Sequence, residues 1–130
     1  MNNNTKSHHK GKEKVDQQVA AVIGSSSGVG YETSLSLARN GFYVFATERK
    51  LHESINHITD IAMNKSLPLQ VIQLDVNNDN SVTEAINRIA KQKPRNDVVI
   101  NNAGYALYCA FKETSIDEIK ARFETNFLAQ

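Results

Sequence analysis

Short, continuous apolar runs recur along the chain from Gln18 onward, separated by segments of helical pattern. Because these runs do not alternate with polar residues, we expect strands that are covered on both faces, which is typical of parallel sheets. The predicted strands are Val19 to Ile23, Phe42 to Thr47, Leu69 to Leu74, and a fourth centred on Val98, Val99 and Ile100.

The segments between the strands carry the signals of helix ends. Gly41 suits the position just after a first helix. Ser81 with Glu84, and Ser115 with Glu118, have the spacing of a capping box. The predicted helices are Tyr31 to Asn40, His52 to Asn64, Ser81 to Gln92 and Ser115 to Gln130. Strands that alternate with helices form right-handed parallel βαβ units, so the sequence predicts an α/β fold with an open, doubly wound parallel sheet.

A glycine-rich turn, Gly-Ser-Ser-Ser-Gly-Val-Gly at 24–30, follows the first strand directly. A buried strand that turns into a helix there gathers backbone N–H groups at the positive end of the helix dipole, which suits a pyrophosphate. Glycines also let a dinucleotide, or the helix and strand themselves, approach closely. We expect Gly24, Ser26, Gly28, Val29 and Gly30 to hold the pyrophosphate and the adjoining ribose. A glycine turn without a ligand is the alternative.

The second strand ends in Glu48 and Arg49, where a bound adenosine ribose is expected. A carboxylate there accepts hydrogen bonds from both ribose hydroxyls and favours NAD, whereas a guanidinium pairs with a 2′-phosphate and favours NADP. Because Glu48 and Arg49 are adjacent, the choice between NAD and NADP stays open. Both could also be exposed turn charges.

Polar and small residues end the other two strands. Asp75 and Val76 follow the third strand, and this carboxylate could accept a hydrogen bond from an adenine amino group or make only an Asx turn. Asn102, Ala103 and Gly104 follow the fourth, where small residues let backbone pass close to a ligand. An ordinary turn is the alternative there.

The last helix carries Asn126 on nearly the same face as an apolar stripe, which predicts that this amide points towards the sheet. A polar amide so placed needs a hydrogen-bond partner, and a satisfied buried amide is the alternative to a functional one. The stripe consists of Ile116, Ile119, Phe123 and Phe127.

Composition changes this picture little. Hydrophobic residues make up 40% and charged residues 22% of 130 residues, and the net charge of +1 gives no electrostatic case for nucleic acid or an acidic membrane. The lone Cys109, the lack of an apolar run of about 20 residues and the polar N-terminus predict a cytoplasmic protein without a membrane span. We expect residues 1–17 to be a disordered arm whose His8 and His9 hold no metal, and residues 18–130 to form one domain.

Together these motifs resemble the classical short-chain dehydrogenase/reductase family, from about Gln18 to Gln130. The family carries a Thr-Gly-x-x-x-Gly-x-Gly loop, an Asp near the end of strand three and Asn-Asn-Ala-Gly after strand four. The resemblance implies a Rossmann-like fold, NAD or NADP as cofactor, and hydride transfer between nicotinamide and an alcohol or carbonyl substrate. It also implies that Asp75 contacts adenine, that Asn126 holds a water of a proton relay, and that copies pair through helices that include the last one.

Two departures from the family pattern matter. Ile23 replaces the Thr before the first glycine, which removes a hydroxyl that ties the loop to its surroundings. The family's catalytic Ser and Tyr-x-x-x-Lys have no counterparts, and we interpret the literal match from Tyr108 to Lys112 as chance because it precedes the last helix. The sequence therefore predicts the N-terminal, cofactor-binding half of such an enzyme, incomplete at its C-terminus and inactive alone. The alternatives are a non-catalytic dinucleotide-binding or sensor module, or a truncated product without function.

Overall fold

A computed structural model describes residues 16–51, 55–104 and 115–128. Within them, four parallel strands form one sheet in the order β3-β2-β1-β4. The elements in chain order are β1 (Val19–Ile23), α1 (Gly28–Arg39), β2 (Tyr43–Glu48), α2 (Ile55–Asn64), β3 (Leu69–Gln73), α3 (Asp79–Gln92), β4 (Val98–Asn101), α4 (Ile116–Phe123) and a π-helical turn (Glu124–Leu128). The predicted α/β fold with a parallel sheet is confirmed.

The sheet has helices on both faces because the side chains of β1 alternate between them. Ala21 belongs to an apolar cluster that reaches α3 through Ala85. Val22 belongs to a cluster that reaches α1 through Ala38, and Leu35 of α1 packs with residues of β2 and α2. All five residues of β1 are buried. The central strand therefore places the turn that follows it at the middle of the sheet's carboxyl edge.

Two helices begin earlier than predicted, and a third begins with the predicted capping box. α1 begins at Gly28 and not at Tyr31, because the second glycine of the turn already leads into helix. The predicted capping box at Ser81 is wrong: α3 begins two residues earlier, and its N-cap is Asn78, whose side chain accepts from Ser81 N. The capping box of Ser115 with Glu118 is confirmed at the start of α4.

The strand β4 and the helix α4 are more exposed than the apolar pattern predicts. In β4, exposed residues alternate with half-buried ones, and Val99 is 56% exposed. The stripe on α4 does not cover the sheet, since Ile116, Ile119 and Phe123 are all exposed. No strand among the described residues pairs with the outer edge of β4, so the expectation of strands covered on both faces holds for β1 and fails for β4.

At the amino edge of the sheet, one carboxylate joins the starts of β1 and β4. Asp97 Oδ2 accepts from Val19 N at 2.8 Å, and Asp97 Oδ1 accepts from Arg95 Nε at 2.9 Å. The hydrogen bond from Arg95, followed by that from the Val19 amide, lowers the pKa of Asp97. This pair lies at the opposite end of the strands from the glycine turn and holds β1 beside β4.

Candidate functional site

A cleft of about 490 Å³ lies at the carboxyl ends of the strands. Nine of the twelve predicted cofactor-binding residues line it: Gly24, Ser26, Glu48, Arg49, Asp75, Val76, Asn102, Ala103 and Gly104. Ser27, Leu74, Asn77 and Thr125 also line it, although the sequence did not single them out. The structure thus gathers into one cleft residues that belong to four separate strand ends.

The glycine turn is packed too tightly to admit side chains at two positions. An added Cβ at Gly30 would lie 1.9 Å from Gly24 O and 2.6 Å from Asn102 Nδ2. Gly24 has φ +85°, and its added Cβ would lie 2.8 Å from Ala103 Cα. Asn102 Nδ2 donates to Gly24 O at 3.0 Å. These glycines therefore let α1 and the end of β4 close onto the turn, which is the shape of a phosphate cradle.

Two buried serine hydroxyls hydrogen-bond the glycine turn to β1 and α1. Ser25 Oγ donates to Val22 O at 3.0 Å, which ties the turn back to β1. Ser34 Oγ lies 3.0 Å from Ser25 Oγ and 2.8 Å from Gly30 O, so its single proton can serve only one of the two acceptors at a time. Both serines are fully buried. The network joins the turn to the first two turns of α1.

The N-terminus of α1 is left without a side-chain cap. Ser27 is its N-cap residue but makes no capping hydrogen bond, whereas Asn78 caps α3 and Ser115 caps α4. The first N–H groups of any helix lack partners within that helix. At α1 these include the N–H groups of Gly28 and Val29, which do not line the cleft, although Ser27 next to them does. An anion beside Ser27 at this end of the cleft would lie near the positive end of the helix dipole.

The two charged residues at the end of β2 differ in access. Glu48 is only 1% exposed, although it lines the cleft. Arg49 is exposed and lines the same cleft, and its carbonyl oxygen accepts from Gln73 Nε2 at 3.2 Å. The guanidinium is therefore the more accessible of the two charges. The difference in exposure between Glu48 and Arg49 could not be predicted from their adjacent positions in the sequence.

After β3, Asp75 makes the Asx turn that the sequence allowed. Its Oδ1 accepts from Asn77 N at 3.0 Å, while its own N–H donates to Ser81 Oγ at 2.9 Å. Asp75 and Val76 are half-buried and line the cleft. Asp75 thus both makes the Asx turn and lines the wall of the cleft. The Ser81 hydroxyl, predicted as a helix cap, instead fixes the backbone of this wall.

The π-helical turn brings Asn126 beside the end of β4. An added Cβ at Gly104 would lie 2.9 Å from Asn126 Oδ1, so a side chain at position 104 would require this amide to shift. Asn126 itself is half-buried and is not among the cleft-lining residues, whereas its neighbour Thr125 is. Asn77 Nδ2 donates to Thr125 Oγ1 at 2.6 Å, which links the wall formed after β3 to this turn.

Several sequence expectations fall outside the described residues. These concern Tyr108, Cys109 and Lys112, and also His8 and His9. Among the residues that are described, no group of three or more His, Cys, Asp or Glu side chains could hold a metal ion. No helix in that part of the chain has the length and apolar character needed to cross a membrane.

Comparison with known proteins gives consistent matches over the same part of the chain. The family model for short chain dehydrogenases matches residues 18–130. A Helicobacter pylori protein described as a probable short-chain type dehydrogenase/reductase, VdlC, is 33% identical over 111 residues, which cover 85% of this chain and 38% of VdlC. The chain therefore spans well under half the length of this relative.

Solved structures match in the same way. A Serratia marcescens short-chain dehydrogenase/reductase double mutant superimposes with a TM-score of 0.76 at 20% identity, over 86% of this chain and 46% of that one. The structure of ElxO with NADP bound gives a TM-score of 0.73 at 28% identity, over 87% of this chain and 46% of that one.

Proposed function

The chain belongs to the short-chain dehydrogenase family, and we propose that it is the cofactor-binding part of an NAD(P)-dependent oxidoreductase. The tight packing of Gly30 against Gly24 carries this proposal, because it leaves no room for a methyl group at position 30 and so holds the start of α1 close to the turn that forms the cradle. That cradle opens into a cleft lined by the ends of all four strands. The fit of a dinucleotide is therefore supported by the shape of the backbone as well as by the motifs.

Each wall of the cleft has a proposed role in holding the dinucleotide. The pyrophosphate would lie against the uncapped start of α1, with Gly24, Ser26, Gly28, Val29 and Gly30 around it. The adenine would lie against Asp75 and Val76, and the rest of the cofactor would pass Asn102, Ala103 and Gly104. The support for this assignment is that seven of these residues and the charged pair after β2 already share one cleft.

The proposed reaction is hydride transfer between nicotinamide C4 and an alcohol or carbonyl carbon. The cofactor supplies the hydride chemistry, and the protein binds, orients and supplies protons. Asn126 is the only residue of the family's proton relay that we assign, as the holder of a water. A phenol with a pKa near 10 is a poor acid or base at neutral pH without a neighbouring cation. Since the residues that the structure describes place no Ser and Tyr-x-x-x-Lys set beside this cleft, we propose that the 130-residue chain alone turns over no alcohol.

We further propose that NADP(H) is the preferred cofactor. Glu48 is almost fully buried and offers little carboxylate surface to ribose hydroxyls, whereas Arg49 is exposed at the cleft and can pair with a 2′-phosphate. The NADP bound in ElxO, a 28% identical structure, supports the same choice.

Fluorescence titration of the chain with NADPH and NADH tests both proposals. Arg49→Gln should weaken NADPH binding by about 10- to 100-fold, the value of a charge-assisted hydrogen bond, and leave NADH binding within about twofold. Lys50→Gln is the matched control, since Lys50 is exposed, carries the same charge and does not line the cleft. Equal effects of the two substitutions would refute the role of Arg49. Failure of the chain to bind either nucleotide would refute the cofactor-binding proposal.

A non-catalytic dinucleotide-binding or sensor module is the second candidate. The observation that favours it is that Thr47 and Asn102, which both hydrogen-bond Gly24 of the glycine turn, lie within these 130 residues. Saturable binding of NADPH without turnover would support it. Turnover of an alcohol that Tyr108→Phe abolishes would contradict both this candidate and the proposed inactivity. Cytoplasmic location and pairing between copies remain parts of the proposal, which cell fractionation and sedimentation would check.

A further inference from the structure

Both oxygen atoms of Thr47 accept hydrogen bonds from the glycine turn. Gly24 N donates to Thr47 Oγ1 at 3.2 Å, and Ser25 N donates to Thr47 O at 2.8 Å. Thr47 is fully buried near the end of β2 and is not among the residues that line the cleft. It therefore contacts the turn from behind, on the side away from a ligand.

We propose that Thr47 is a positioning residue that fixes the backbone of Gly24 and, through it, sets the affinity of the cleft for a dinucleotide. The effect on affinity rests on the proposed function. The two hydrogen bonds hold the two peptide planes on either side of Gly24: the hydroxyl holds the plane that contains Gly24 N, and the carbonyl holds the plane that contains Ser25 N. The φ and ψ angles between these planes are then fixed.

Gly24 needs such a restraint because its backbone conformation, with φ +85°, is one that glycine enters and leaves easily. Its carbonyl oxygen accepts from Asn102 Nδ2 and packs against Gly30, so rotation at Gly24 would open the cradle. Ile23, the residue before it, has no hydroxyl to provide the restraint. Only the hydroxyl of Thr47 is specific to the side chain, since the carbonyl bond would survive any substitution there.

The consequence for binding follows from populations. If the turn visits open conformations, the apparent dissociation constant rises by the inverse of the fraction that stays closed. Loss of one such hydrogen bond raises the ratio of open to closed turns by about three- to tenfold. Thr47→Val removes the hydroxyl and keeps the shape, whereas Thr47→Ser keeps the hydroxyl and removes a methyl group from the core.

The test compares these two variants of the 130-residue chain in three measurements: hydrogen exchange of the Gly24 amide without ligand, NADPH affinity by fluorescence, and thermal unfolding. We expect Thr47→Val to speed Gly24 exchange at least fivefold and to weaken NADPH binding about three- to tenfold. Thr47→Ser should leave both within about twofold of the unsubstituted chain while lowering the unfolding midpoint.

Two results would overturn the proposal. One is an unchanged rate of Gly24 amide exchange in Thr47→Val, because it would show that the hydroxyl does not restrain the turn. The other is a weaker affinity in Thr47→Ser than in Thr47→Val, which would assign the effect to packing. If the unsubstituted chain binds no nucleotide, the proposed function fails, and the exchange measurement still decides whether the Thr47 hydroxyl holds the turn.

Discussion

Substitution of Gly30 by alanine is the most direct test of the cradle. The added methyl carbon would lie 1.9 Å from Gly24 O, whereas ordinary contact begins at 3.4 Å, so the two groups must separate by 1.5 Å (3.4 minus 1.9). The clash is with backbone, which cannot rotate away as a flexible side chain could. The same methyl would lie 2.6 Å from Asn102 Nδ2. We therefore expect the hydrogen bond from Asn102 to Gly24 O to break.

The expected loss of stability is about 1–3 kcal/mol, typical of overpacking. This sign is informative, because Gly30 lies in a helix and does not have a positive φ. By helix propensity alone, alanine at such a position would stabilise the protein by about 1 kcal/mol. We expect NADPH affinity to fall about three- to tenfold, which is the value of the one hydrogen bond that breaks. Chemical denaturation and fluorescence titration measure the two effects separately.

Gly41→Ala is the matched control for this experiment. Gly41 has φ +92°, its added Cβ would meet nothing within 4 Å, and it follows α1 at the far end from the cleft. Alanine there should cost about 1 kcal/mol of stability through backbone strain and leave NADPH affinity unchanged. If Gly30→Ala bound NADPH as tightly as the unsubstituted chain, the glycine turn would not be the cradle that we describe.

Three further predictions concern other parts of the structure. The pKa of Asp97 is lower in the folded than in the unfolded chain, so its carboxylate stabilises the fold above the unfolded pKa, and this stabilisation is lost as pH falls through the folded pKa. Asp97→Asn should therefore flatten the loss of unfolding free energy between about pH 5 and about pH 3. An unchanged dependence of unfolding free energy on pH would contradict the pairing with Arg95. Asn78→Ala should lower the unfolding free energy by about 1 kcal/mol, whereas Ser27→Ala, at a helix start without a side-chain cap, should change it by less than about 0.5 kcal/mol; urea denaturation measures both, and equal losses would refute the difference. Val99→Lys, on the exposed edge strand, should reduce any concentration-dependent association seen by sedimentation, since a charge on a sheet edge opposes pairing; stronger association in the variant would refute an edge-to-edge contact.

The order of strands and helices was predictable because buried parallel strands and amphipathic helices have different periods. The cleft was predictable for the same reason, since the topology alone places the four strand ends side by side. The helix starts were less predictable. Gly30 has low helix propensity, yet it lies in α1, where its lack of a side chain lets the helix pack against Gly24. At α3, Asn78 and Ser81 are both good caps, and the choice depends on Ser81 Oγ already accepting from Asp75 N.

Contacts between distant residues account for what the sequence could not predict. The hydroxyl of Thr47 meets Gly24 N only because β2 lies beside β1 in register. The burial of Glu48 next to an exposed Arg49 likewise depends on how the end of β2 is covered. The π-helical turn at Asn126 has no periodic signal, because it interrupts a pattern that otherwise continues as an α-helix.

The hydrogen bond from Asn102 to Gly24 also orders the events of folding. It joins residues 78 positions apart, and β1 lacks its neighbour β4 until residues 98–101 have been synthesised. Contacts over such separations form late, because the entropy of closing a long loop must be overcome first. A nascent chain can thus contain the whole glycine motif before it contains a nucleotide site. Nucleotide would therefore stabilise the sheet only after β4 has paired with β1 and have little effect on the earlier steps of its assembly.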